Sequence, residues 1–345
     1  MNKSLFTLAT LSAFAAGAYA QSSVTLFGVL DVNAAQIKNG SAGSLKSLSQ
    51  GALNTSRLGL RGSEDLGGGL SAGFHLEGQV NPDNGTMTSV FWNRRSTVSL
   101  IGSWGELRLG RDYNPSSRNT YLFEPYIGTS VGTVLNFTLA PTATLGSGAT
   151  TALRTNNAVA YFLPRGLGGL YGEAMIAPSE GAPGNKYFGG RLGYAAGPFD
   201  VSAAYGTTKT ASSDDFKQWN IGLAYKLDSM KLLGLYNVHE FGGLEQKTTA
   251  LGLAVPVGLG EFRAMWAANS RSGGAVGSGF ASGDDSNMLS AGYVYNLSKR
   301  TALYGFAGRI ANDGAARLTV DGTAPAAMAA GETSSGYQFG ITHRF

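Results

Sequence analysis

Two segments carry the spacing of a serine nucleophile, G-x-S-x-G: Gly69-Leu70-Ser71-Ala72-Gly73 and Gly128-Thr129-Ser130-Val131-Gly132. That chemistry needs the serine on a sharp strand-to-helix turn. No helical pattern follows either segment, and a chain with 51 glycines yields such matches by composition. Gly67-Gly68-Gly69-Leu70-Ser71-Ala72 satisfies a loose dinucleotide pattern, again at an expected hairpin turn without a following helix. His75, His239 and His343 lack ligand spacing, and there is no cysteine, which excludes disulfides, thiol chemistry and Cys-ligated metal. The acid pairs Asp214-Asp215 and Asp284-Asp285 fall in polar connections. They read as solvated loop charge, with a divalent cation beside lipopolysaccharide phosphate as the alternative. No catalytic, cofactor or metal site is expected.

The charges with the clearest placement are arginines inside alternating segments. Leu58 and Leu60 share one parity, so Arg57, Gly59 and Arg61 share the other. Thr97 and Ser99 set a polar parity that includes Arg95. Arg154 opens an alternating run after a long connection. Basic residues are spread along the chain rather than clustered, with a net charge of +4. No nucleic-acid partner is expected.

The elements that must hold these side chains are strands. In the last nine residues Tyr337, Phe339, Ile341 and Phe345 share one parity, while Gln338, Gly340, Thr342 and Arg344 share the other. One face is apolar and the other polar. A soluble protein avoids a long apolar edge strand, whereas a closed barrel in a bilayer has no edge. The same alternation recurs at 199–209, 216–227, 246–257 and 287–297, near the ten or so residues a tilted strand needs to cross an outer membrane. Charged residues make up 14% of the chain, and mean hydropathy is −0.03. These values suit two-faced strands and not membrane-spanning helices.

Sixteen strands are predicted: 23–37, 50–63, 69–80, 92–102, 104–112, 154–163, 169–178, 187–196, 199–209, 216–227, 230–240, 246–257, 260–270, 287–297, 301–311 and 336–345. Short turns such as 64–69, 227–229 and 258–260 alternate with longer polar connections such as 38–50, 271–286 and 312–335. That alternation fits tight periplasmic turns and larger outer loops. The predicted fold is all-β, a transmembrane sixteen-stranded antiparallel barrel wide enough for a water-filled lumen. Residues 1–20 read as a cleaved signal peptide, with Lys3, an apolar run from Leu5 to Ala18 and the small-x-small site Ala18-Tyr19-Ala20. Residues 21–345 form the barrel, 325 residues after removal of 20 from 345.

Residues 113–153 break the rhythm. The segment is rich in apolar residues, among them Tyr121, Phe123, Tyr126, Val134 and Phe137, and is too apolar to extend into water. It is expected to fold inward against the wall as a third loop that narrows the pore. Its one acid is Glu124, and Arg118 lies in the same stretch.

Ser22-Ser23-Val24-Thr25-Leu26-Phe27-Gly28, Ser56-Arg57-Leu58-Gly59-Leu60-Arg61-Gly62-Ser63-Glu64-Asp65-Leu66-Gly67, Gly105-Glu106-Leu107-Arg108-Leu109-Gly110-Arg111, Asn296-Leu297-Ser298-Lys299-Arg300-Thr301 and Thr342-His343-Arg344-Phe345 occur in order from end to end. In these stretches the mature chain resembles the trimeric sixteen-stranded general porins of Gram-negative outer membranes, in their beta-proteobacterial branch. The resemblance implies a homotrimer in the outer membrane, in contact with lipid and lipopolysaccharide. It implies recognition of the terminal strand (Tyr337, Phe339, Ile341, Phe345) by the barrel-assembly machinery. It also implies passive diffusion of small hydrophilic solutes and ions. It makes 113–153 the constriction loop and matches Arg57, Arg94 and Arg154 to an arginine cluster facing that loop. Arg95 is the other candidate for Arg94's place, and Arg118 and Glu124 complete the expected constriction. One loop acid against several arginines predicts an anion-preferring pore, which Glu77 and Asp31 would soften. A substrate-selective channel, a plugged adhesin or structural barrel, and a barrel phospholipase are the alternatives.

Overall fold

The computed structural model describes residues 23–139, 144–323 and 327–345. The predicted signal peptide lies outside them. The chain runs through β1 (Ser23–Asn39), β2 (Ser44–Gln50), β3 (Arg57–Gly67), β4 (Leu70–Asn81), β5 (Thr86–Met87), β6 (Arg95–Gly102) and β7 (Gly105–Tyr113). Two short helices follow, α1 (Pro115–Leu122) and α2 (Leu135–Thr138). Then come β8 (Arg154–Phe162), β9 (Leu170–Ala177), β10 (Lys186–Ala196), β11 (Phe199–Lys209), β12 (Asp215–Leu227) and β13 (Met230–Phe241). The last strands are β14 (Leu244–Val257), β15 (Gly260–Ser272), β16 (Ser286–Asn296), β17 (Thr301–Asn312) and β18 (Ser334–Arg344).

Neighbouring strands pair antiparallel, and β18 returns to β1 from Val29↔Arg344 to Asn39↔Ser334, which closes the cylinder. Two of the eighteen segments are not separate wall strands. β2 and β3 both pair with the same flank of β1, at Val32↔Gln50 and Val29↔Arg57, and so form one interrupted strand. β5 is a two-residue side hairpin on β4. Sixteen wall strands remain among the described residues, as predicted.

The expected strand 50–63 and connection 38–50 are corrected. β1 continues to Asn39, β2 begins at Ser44, and the wall is interrupted at 51–56 instead. Asp31 fixes the interruption. Its carboxylate accepts from the Ala52 amide at 3.1 Å and the Asn54 amide at 2.9 Å, and its own amide donates to Ser56 Oγ at 2.8 Å.

Alternation decides the two faces. In β12, Ile221 and Leu223 are exposed while Asn220 is buried. In β18, Phe339 is 62% exposed and Gln338 is 7% exposed. The exposed rows are the lipid-type surface. At the end with the tight turns, Tyr161 stacks on Trp104 at 6.3 Å, Phe199 packs on Tyr225 at 4.7 Å, and Tyr293 OH donates to the Val257 carbonyl. Amphipathic rings belong at such an interfacial level. The turn between β3 and β4 needs three consecutive glycines with positive φ, Gly67, Gly68 and Gly69.

Residues 114–137 pack on the polar parity of the wall. Asn114 caps α1 by accepting from the Ser117 amide at 2.7 Å, with Pro115 at the first helical position. Asn119 Nδ2 donates to Asn220 Oδ1 at 2.7 Å, and Asn220 Nδ2 donates to the Ser116 carbonyl at 2.9 Å. Farther along, the Val131 amide donates to Gln338 Oε1, and Gln246 Nε2 donates to the Phe137 carbonyl, both at 2.9 Å. Phe123, Tyr126, Val134 and Phe137 are buried in one cluster with Met288, Phe306 and Ile310. Glycines permit this approach: a Cβ on Gly308 would collide with the Val131 carbonyl, and one on Gly222 with the Phe123 ring. Gly308→Leu is therefore expected to push the Val131–Gly132 backbone off the wall, at a cost of about 1–3 kcal/mol. Single-channel recording should show a fragmented open level, and loss of protease resistance within 113–153 should accompany it.

Candidate functional site

Eight arginines converge on the strands from β3 to β10 and on α1. Arg57 Nε lies 3.7 Å from Glu77 Oε2 and Arg94 Nε lies 2.5 Å from Glu77 Oε1. Arg154 Nη2 donates to Tyr113 OH, and its guanidinium lies 4.0 Å from the centre of that ring. Arg94 Nη2 reaches the same hydroxyl at 3.3 Å. Tyr113 thus seats two cations side by side, through its hydroxyl and, for Arg154, its ring face. Arg95 Nε donates to Thr97 Oγ1 at 3.0 Å and lies 3.9 Å from Asp112 Oδ2. Arg108 and Arg118 also hold Asp112, at 2.6 and 3.1 Å. Arg118 and Arg191 bracket Glu173, at 3.0 and 3.2 Å. Arg111 donates to the Asn93 carbonyl and to Asn156 Oδ1.

Ion pairs join six of these guanidinium groups (Arg57, Arg94, Arg95, Arg108, Arg118 and Arg191) to four carboxylates (Glu77, Glu106, Asp112 and Glu173), with Arg108 Nε 2.8 Å from Glu106 Oε1, while Arg154 and Arg111 are held by Tyr113, Asn156 and backbone carbonyls. The group carries four uncompensated positive charges. Arginine suits the site, since its charge persists in partial burial and its fork can hold two partners.

The sequence candidates are divided by this geometry. Arg57, Arg94, Arg95, Arg118 and Arg154 come together. Arg94 and Arg95 both take part: Arg95 follows the parity of Thr97 and Ser99, while Arg94 precedes β6, where parity does not constrain it. The structure does not bring Glu124 to the arginines. Its carboxylate is 3% exposed and turned into its own loop, accepting from the Gly128 amide, the Tyr126 amide and Thr133 Oγ1. The acids beside the arginines sit on the wall instead. Asp31 holds the 51–56 interruption and Tyr304 OH.

Sequence reasoning missed Arg108, Arg111, Arg191, Glu106, Asp112, Glu173 and Tyr113. Glu106 and Arg108 were accessible to parity, because Leu107 and Leu109 are the exposed partners. Asp112 was not, because the register shifts between Gly110 and Asp112. Glu173 and Arg191 face each other across β9 and β10, a pairing only the register reveals. As for the nucleophile-like serines, Ser71 lies in β4 and Ser130 Oγ accepts from the Gly132 amide, so neither occupies a strand-to-helix elbow.

The sequence profile of the Gram-negative porins matches residues 7–315. Outer membrane porin protein 32 of Delftia acidovorans is 37% identical over the whole of both chains. An outer membrane porin of Bordetella pertussis is 27% identical over 89% of this chain and 93% of its own. Among solved structures, the anion-selective porin from Comamonas acidovorans superposes with a TM-score of 0.82 at 34% identity, covering 94% of this chain and 100% of that one. OmpT of Vibrio cholerae, at 13% identity and a TM-score of 0.65, shares the fold. The closed sixteen-stranded barrel, its two-faced strands and these likenesses agree: the chain belongs to the Gram-negative porin family and is a channel of the outer membrane.

Proposed function

We propose that the chain forms a passive, anion-preferring diffusion channel, assembled as a homotrimer, that catalyses no reaction and is narrowed by residues 113–153. The observation that carries the anion preference is the excess of eight arginines over four carboxylates gathered on β3 to β10 and α1. Fixed charge beside a low-dielectric wall raises the local concentration of counterions and lowers that of co-ions. The anion selectivity of the Comamonas acidovorans porin supports the same sign. Small solutes move down their own concentration gradient. The trimer rests on the family, whose members assemble that way.

Charge reversal tests the sign. Arg57→Glu with Arg154→Glu leaves six arginines facing six carboxylates. The zero-current potential in a potassium chloride gradient should fall from an anion-selective value toward zero. An unaltered potential would remove both residues from the selectivity-setting role.

The narrowing segment carries its own titratable anchor. Burial pushes the Glu124 carboxyl up to about 7, and hydrogen bonds from Gly128, Thr133, Tyr126 and Val134 only partly offset that. The folded value lies above the ordinary 4.5. Its contribution to stability is therefore full below about 4.5 and lost as pH rises through about 7. Current flicker should increase over that window in the wild type. Glu124→Gln keeps an acceptor oxygen and removes the titration, so its flicker should stay level with pH.

A further inference from the structure

At the barrel end with the tight turns, a recess of about 190 Å³ opens between the inward sides of β15 to β18. Arg263, Lys299, Arg300 and Arg344 line it, with Glu261 and Thr342. Arg263 faces inward, since its neighbour Phe262 and Trp266 lie on the exposed parity. Its Nε is 2.7 Å from Glu261 Oε1, which leaves Nη1 buried and without a hydrogen-bond partner among the described residues. Arg344 Nη2 donates to a neutral acceptor, Asn54 Oδ1, at 3.3 Å. Lys299, Arg300 and Arg344 form no ion pair with a carboxylate among the described residues. The chain terminus turns elsewhere, with Phe345 O accepting from the Gly28 amide.

Four cations against the one carboxylate of Glu261 leave three charges uncompensated. A buried guanidinium N–H without an acceptor carries a desolvation penalty that an anion would relieve. The recess also adjoins the arginine cluster. Arg344 and Arg57 occupy the two flanks of Val29, in β18 and β3. Two strand spacings, about 10 Å, separate them.

We propose that this recess is a second anion-holding site, distinct from the Arg57–Arg154 cluster, that takes a small doubly charged oxyanion at the tight-turn mouth of the channel. Guanidinium forks and a lysine ammonium match the paired oxygens of a sulfate, phosphate or short dicarboxylate better than a single halide. The volume admits such an anion with a few waters, each of about 30 Å³. The proposal rests on the anion-preferring reading and adds a place where a divalent anion pauses.

The test uses the purified channel in a planar bilayer, with sulfate as the probe added to each side separately. Sulfate should block the chloride current saturably, and more strongly from one side. The half-blocking concentration should rise at least about fivefold in Arg263→Gln, and likewise in Lys299→Gln with Arg300→Gln, whose side chains lie on an exposed turn. The zero-current potential should keep its wild-type sign in both, because Arg57, Arg94 and Arg154 are intact. Equal half-blocking concentrations in wild type and both variants, or no saturable block at all, would overturn the site. A cation-selective wild type with saturable, variant-sensitive block would instead overturn the selectivity reading and leave the site standing.

Discussion

Backbone amides and carbonyls in hydrocarbon have no water to bond, and each unpaired group costs several kcal/mol. The seam between β1 and β18 answers that constraint. Eleven residue pairs, Val29↔Arg344 through Asn39↔Ser334, join the first strand to the last. Beyond the paired strands the terminus is tied in as well: the Phe345 amide donates to the Gly28 carbonyl, and the Gly28 amide donates to Phe345 O. Closure removes the edge, and with it the hazard of a terminal strand that exposes Tyr337, Phe339 and Ile341. Those residues can face outward only because the cylinder is shut.

Closure also fixes where charge can go. An arginine on the lipid face at mid-bilayer costs about 2–4 kcal/mol, so strand arginines collect on the other parity. There they need partners, because partial burial penalises an isolated charge. Tyr113, Thr97 and backbone carbonyls supply part of that solvation without supplying negative charge. This is how eight guanidinium groups can gather beside four carboxylates and still leave a positive field.

Period-2 alternation made all sixteen wall strands legible, because a two-sided environment imposes it on every strand. The interruption at 51–56 was not legible. Gly51-Ala52-Leu53-Asn54 continues no clear breaker pattern, and what holds it inward is Asp31, more than twenty residues earlier in the chain. The site divides in the same way. Arg57 and Arg95 follow from the parity of their neighbours. Arg94 came only from the family resemblance, since it lies just outside β6. Glu124 was assigned to the arginines from the composition of its loop and from the family resemblance. Composition says that a loop has one acid and cannot say which way the carboxylate turns. Asp112 and Glu173 depend on a bulge and on cross-strand register, neither of which a single sequence displays.

Turning Glu124 into its own loop has a consequence for how the passage works. If residues 113–153, the proposed narrowing segment, contributed the acid, their position would set both the width and the charge of the pore, and any shift would alter both. Here the segment contributes bulk, through Phe123, Tyr126, Val131 and Phe137, plus the single cation Arg118, which is itself bracketed by Asp112 and Glu173. The charge resides on rigid strands whose register is locked by the ladder. In the proposed channel, then, 113–153 sets the size limit and β3 to β10 set the sign. A change in the loop's packing should alter how much passes before it alters which ions pass.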